Sequence, residues 1–143
     1  MTDEATDRLR KPPAERFAGP VHRFSFQEVL EELRAEDHPA RGGHRQMTLL
    51  QRGRVTQVLF AFEAGGRLKK HSAPGLVTIQ VLDGRLEVEA GGQDHDLPAG
   101  YALVMDRDVP HDVRAPERSA MLLTVHLEKD GEGGRGEAAN GSA

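Results

Sequence analysis

An all-β fold, an antiparallel sandwich or barrel preceded by one short helix, follows from three features of this sequence. Short strand-like segments crowd residues 45–127, turn markers separate almost all of them, and helical periodicity occurs in one other segment. Residues 1–20 are charged, hold Pro12, Pro13 and Pro20, and show no sustained periodicity, so they read as a disordered arm. The helix comes next. Ser25 is a good N-cap, Glu28 three residues on completes a capping box, and Phe24 with Val29 supplies a hydrophobic staple. Phe26, Val29, Leu30 and Leu33 recur at helical spacing, with Glu28, Glu31, Glu32 and Arg34 on the other side. The helix ends before His38-Pro39, because a residue preceding proline disfavours the helical region.

The expected strands are Arg45–Arg52, Val55–Phe62, Arg67–Ser72, Leu76–Leu82, Arg85–Ala90, Gln93–Leu97, Tyr101–Met105, His111–Ala115 and Ala120–Leu127. Gly53, Gly65-Gly66, Pro74-Gly75, Asp83-Gly84, Gly91-Gly92, Pro98-Ala99-Gly100 and Pro116 punctuate them. Asp83-Gly84 and Gly91-Gly92 each read as a two-residue hairpin turn, which needs positive φ at its central residues. Val58-Leu59-Phe60-Ala61-Phe62 is apolar without alternation, the pattern of a strand covered on both faces. One face lines the interior and the other meets the helix or a second subunit, so a homodimer is expected. Residues 129–143 are Gly-rich and polar and read as a disordered tail. One domain, helix plus β block, then spans residues 21–128.

Composition narrows the chemistry. The chain has 143 residues, 37% of them hydrophobic, enough for one modest core. Its 19 Lys+Arg stand against 23 Asp+Glu for a net charge of −4, with both signs interspersed, which argues against a nucleic-acid partner. No cysteine is present, so thiolate catalysis, disulfides and Cys-ligated metal are excluded, and any metal must sit on His or carboxylate. The opening MTDEATDRLRK has no apolar core of a signal peptide, and no apolar run approaches the ~20 residues of a membrane span. A cytoplasmic protein without a membrane partner is the expectation. There is no Walker loop, nucleophile elbow or HExxH segment.

Residues 45–127 resemble the cupin superfamily, small jelly-roll β-barrels marked by two motifs. The first runs Gly, five residues, His-x-His, three or four residues, Glu, six residues, Gly; Gly65, His71 and Gly84 match it. The second runs Gly, five residues, Pro-x-Gly, two residues, His, three residues, Asn; Gly100 and His111 match it. The resemblance implies a cupin-like jelly-roll barrel. In metal-dependent cupins it also implies an ion held by two His and a Glu of the first motif and the His of the second. Here Ala73 and Val77 occupy the second-His and Glu positions, Asp106 and Asp108 replace Pro and Gly, and Ala115 replaces Asn. His71 and His111 are thus the two retained ligand positions. Two imidazoles make a weak site for a divalent ion (Fe, Mn, Ni or Zn), since a catalytic metal usually has three protein ligands.

The expected ligand pocket comprises His71, Ala73, Val77, Ile79, Met105, His111 and Val113, with His71 and His111 as the metal candidates. Val77, Ile79 and Val81 face inward and Gln80 outward, which gives an apolar wall suited to an organic ligand. A neutral His between such walls has a lowered pKa through desolvation. His126 falls on the opposite parity from Met121, Leu123, Val125 and Leu127, so a role as third ligand requires the strand to be turned over. Asp106 and Asp108 are alternative carboxylate donors that turn propensity explains equally well. Arg67 and Lys69 alternate on the strand to His71, where they form a solvated face or attract an anion. Tyr101 is expected in the core or at its rim. His22, His38, His44 and His95 are expected at the surface. The resulting functional expectation is a small-molecule-binding module with at most a weakly held metal. A metal-dependent dioxygenase, isomerase or lyase acting on a small organic acid is one alternative, and a non-catalytic structural or regulatory dimer is another.

Overall fold

A computed structural model describes residues 19–38 and 40–129 of this chain. Apart from residues 19, 20 and 129, the expected arm and tail lie outside the described residues. The elements run α1 (Phe26–Arg34), β1 (His44–Arg52), β2 (Val55–Phe62), β3 (Arg67–His71), β4 (Gly75–Asp83), β5 (Arg85–Ala90), β6 (Gln93–Pro98), β7 (Ala102–Met105), β8 (His111–Arg114) and β9 (Ser119–Leu127). They form two antiparallel sheets, one in the order β1-β2-β9-β4-β7 and one in the order β3-β8-β5-β6. This is the jelly-roll all-β fold expected from the strand pattern. No helix among the described residues is long and apolar enough to cross a membrane.

Alternation along each strand decides which side chains meet between the sheets. Val58, Phe60 and Phe62 of β2, Val77, Ile79 and Val81 of β4, and Met121 of β9 face Leu86, Val88, Leu97 and Val113 of the other sheet. The intervening β2 residues Leu59 and Ala61 point the other way. They pack with Met47, Leu49, Ala120 and Leu122 beneath Leu30 and Leu33 of α1. The unbroken apolar run in β2 is therefore explained within one chain: the inter-sheet layer covers one face and α1 the other. The helix starts where the capping pattern places it, with the Ser25 hydroxyl accepting from the Glu28 N–H at 3.2 Å. Phe24 and Val29 both pack at the edge of the layer under α1.

Gly91-Gly92 closes the β5–β6 hairpin as expected, with φ of 60° and 83° and Ala90 opposite Gln93. Asp83-Gly84 is not a hairpin turn. It joins strands that belong to different sheets, so the chain turns a corner there. The dipeptide signal was local, and it reported positive φ (75° at Gly84) without specifying what the next strand pairs with. Packing explains the glycine: a Cβ at residue 84 would lie 2.3 Å from the Arg118 carbonyl and 2.4 Å from the Ser119 hydroxyl. Ser119 Oγ, fully buried, accepts from the Arg85 N–H at 3.0 Å and so fixes the corner.

Leu33, with no exposed surface, is the anchor of α1. Leu33→Ala is expected to destabilise the chain by about 2–5 kcal/mol, the usual cost of truncating a fully buried leucine. Urea denaturation followed by circular dichroism measures this. A loss below about 1 kcal/mol would show that α1 is not needed to cover the β2 face.

Candidate functional site

One irregularity in β3 builds the candidate site. Leu68 pairs with Val113, whereas His71 pairs with His111. Two residues, Lys69 and Lys70, therefore oppose the single residue Asp112, which is the pattern of a β-bulge. In a regular strand, Leu68 and His71 would face opposite sides. The extra residue brings His71 to the same face as Leu68, beside His111. An ion pair braces the bulge from the outer face. Arg67 grips Asp112 in a two-pronged contact, Nε–Oδ1 at 3.1 Å and Nη2–Oδ2 at 2.6 Å. That hydrogen bonding holds the Asp112 carboxyl below the usual carboxylate range. Arg67 is accordingly committed to this brace and does not serve as a free anion attractor.

The two imidazoles lie with ring centroids 4.1 Å apart and planes inclined at 59°. Each ring is held by a carbonyl two residues before it: His111 Nδ1 lies 3.1 Å from the Val109 oxygen, and His71 Nδ1 lies 2.9 Å from the Lys69 oxygen. A carbonyl can only accept, so each Nδ1 carries the proton, and in the neutral ring each Nε2 presents a lone pair. His111 is 2% exposed, and its Nε2 is buried without a hydrogen-bond partner. Burial pushes the His111 pKa down, the bond from Val109 partly opposes this, and the neighbouring His71 lowers it further.

The remaining expected pocket residues share the inner face at different depths. Val77 and Met105 are buried, and Ala73 packs against them from the loop after β3. Ile79 and Val113 have no exposed surface and belong to the closed core between the sheets. The partly exposed inner wall consists instead of Leu103, Val109, Leu123 and Val125. Sequence reading assigned Leu123 and Val125 to the apolar face of β9 but left them out of the pocket. Their alternation was the available signal.

His126 is exposed on the outer face, where Thr124 also bonds Gln57, and does not approach His71. Asp106 and Asp108 are likewise exposed; Asp108 adopts φ 66° and its N–H donates to the Ala73 carbonyl at 2.9 Å. Tyr101, expected at the core or rim, is 56% exposed. Of the histidines expected at the surface, His38 is exposed, whereas His22, His44 and His95 are half-buried. The His44 ring lies 5.6 Å from that of Phe60 and 5.7 Å from that of Phe62, because its β1 position pairs with Phe62 and so faces inward. His95 pairs with Val88 and shares its inward face. Loop glycines before His44 and charged neighbours around His95 concealed both from a reading by composition.

Among the described residues no group of three or more His, Cys, Asp or Glu is placed to share an ion. Two Nε2 lone pairs therefore fall short of the three protein ligands typical of a catalytic centre.

A family model described as Cupin domain matches residues 58–126. A cupin superfamily protein from Desulfitobacterium hafniense superposes with a TM-score of 0.59 at 24% identity, over 64% of this chain and 84% of that one. An RmlC-like cupin from Shewanella frigidimarina gives 0.62 at 21% identity, over 77% and 95%. Salicylate 1,2-dioxygenase from Pseudaminobacter salicylatoxidans gives 0.61 at 20% identity, over 73% of this chain and 34% of that larger one. No functionally curated protein matches the sequence. Residues 58–126 thus match the Cupin domain family, and the structural neighbours support a small cupin domain.

The depressed His111 pKa links the site to stability. The unfolded chain, with His111 titrating near 6.5, takes up a proton before the folded chain does. Stability that is complete above that value is then lost as pH falls below it. Melting temperature is expected to drop as pH falls below about 6.5, and His111→Gln is expected to flatten that part of the profile. An unchanged slope in the variant would remove His111 as its source.

Proposed function

We propose that this cupin domain binds a small organic molecule at the open end of the barrel, with His71 and His111 as its polar contacts. The observation that carries this reading is the buried, unpartnered Nε2 of His111. A desolvated acceptor left without a partner costs about 1–3 kcal/mol, and a ligand at the mouth removes that cost. Leu103, Val109, Leu123 and Val125 supply the apolar wall against which the rest of the ligand packs.

A second reading, a divalent ion (Fe, Mn, Ni or Zn) on the same two Nε2 atoms, is favoured by the Nδ1 bonds. Metal-ligating histidines commonly donate their other N–H to a backbone carbonyl in this way. With two imidazoles the ion is weakly held, and solvent or ligand completes its coordination. An enzymatic role, for which a dioxygenase among the structural neighbours is a fold-level precedent, rests on that ion being tightly bound. Elemental analysis of the purified protein is expected to find substoichiometric metal, with a melting temperature indifferent to EDTA. His71→Ala and His111→Ala are expected to abolish small-molecule binding while the barrel stays folded. Stoichiometric metal whose removal lowers the melting temperature would replace this reading with the metal-dependent enzyme.

The assembly we propose is a homodimer. With α1 covering β2, its support shifts to the sheet edges. Of the four edge strands, β1 carries arginines and a bulge, β3 carries Lys69, Lys70 and a bulge, and β6 carries Asp94, Asp96 and Pro98. Such features block edge pairing. β7, Ala-Leu-Val-Met, has none of them, and its own Val104 is 61% exposed. Size-exclusion chromatography is expected to give a dimer at micromolar concentration and a monomer for Val104→Asp; a wild-type monomer refutes the proposal.

A further inference from the structure

The two histidines are fixed in the same sense, and this restricts what they can bind. Val109 and Lys69 carbonyls accept from Nδ1 of His111 and His71, so in the neutral imidazoles both Nε2 atoms are acceptors. Two acceptors whose rings lie 4.1 Å apart cannot satisfy each other. We infer that the polar end of the ligand is an uncharged hydrogen-bond donor, a hydroxyl on an apolar body such as a phenol, and not a carboxylate. This rests on the binding role proposed above and adds the ligand's chemical class.

The charges around the mouth lead to the same class. A carboxylate offers only acceptors and needs a cation or donor facing it. Arg67 is engaged with Asp112 on the outer face. Lys69 and Lys70 oppose that same outward residue across the bulge. Arg107 donates to the carbonyls of Glu128 and Lys129, each at 3.1 Å, and lies 3.3 Å from Asp108. Protonating His111 to create a donor would place a charge on a ring that is 2% exposed. A hydroxyl needs none of these changes. It donates to a lone pair that is already presented, while its apolar body meets Leu103, Val109, Leu123 and Val125.

Phenol and benzoate share a ring and differ at the polar end, which makes them the test pair. At pH 8 phenol keeps its proton, since phenolic groups titrate near 10, and benzoate is an anion, since carboxyls titrate near 4. The full chain, freed of metal with EDTA, is titrated with each and followed by nitrogen-15 spectra of the imidazoles and by melting temperature. Expected are Nδ1–H tautomers for both rings, and Nε2 signals of His71 and His111 that shift on adding phenol. Benzoate is expected to bind at least about tenfold more weakly, and His71→Leu or His111→Leu to remove the preference. Benzoate binding as tightly as phenol, with the same imidazole shifts, overturns the donor class but leaves the binding site standing. An Nε2–H tautomer at either ring also overturns it. If neither probe moves the imidazole signals, the proposed binding role fails and this inference falls with it. Phenol binding restored only when Zn2+ is added back overturns direct donation in favour of metal-mediated contact.

Discussion

A single layer of apolar side chains between two antiparallel sheets governs this molecule. Each strand must send alternate residues into that layer, so the sense of every other residue is fixed at the same time. For the five-stranded sheet this creates a second obligation. Leu59, Ala61, Ala120 and Leu122 are left facing outward, and α1 exists to cover them through Leu30 and Leu33. The four-stranded sheet resolves its outer face differently, with an ion-paired surface. Arg67–Asp112, Arg114–Glu87 and Arg85–Asp96 run across it from β3 to β6. The exposed pairs among them, Arg114–Glu87 and Arg85–Asp96, add little stability, but they keep that face in water. One sheet carries the helix and the other meets solvent.

The candidate site arises where this alternation is broken. A strict period of two would place His71 outside the barrel, and the bulge at Lys69-Lys70 turns it in. The same bulge brings the Lys69 carbonyl to His71 Nδ1, so the residue is delivered and its tautomer set by one local defect. His111 reaches an equivalent state on a regular strand through Val109. Ala73 and Val77, in the positions where further metal ligands stand in metal-dependent cupins, leave the mouth more apolar. What results is a site with two oriented lone pairs and an apolar wall, suited to accepting a proton donor or an electrophile.

Much of this was legible in the chain. The Ser25 cap, the helix stripe, the Gly91-Gly92 hairpin and the inward parity of Val77, Ile79 and Val81 are local properties, carried by spacings of a few residues. The glycine and histidine spacing around Gly65, His71, Gly84, Gly100 and His111 identified the superfamily and the pair of histidines. Asp83-Gly84 shows the limit of that reading. Its positive φ was legible, but the pairing partner of the following strand was not. His44 and His95 show a related limit, because which face a histidine takes depends on register with a strand that a local window does not contain.

The sequence by itself determined the strand and helix segments, the two-faced character of β2, the exclusion of thiolate chemistry, and the identity of His71 and His111 as the candidate pair. Only the tertiary structure decided that β4 and β5 part into different sheets. It also decided that a bulge turns His71 inward, and that the two rings meet with their Nε2 lone pairs free. The physical reason is range. Cap, turn and alternation energies act between neighbours along the chain. Register, bulge pairing and the burial of an imidazole depend on contacts between residues some forty positions apart, such as His71 and His111.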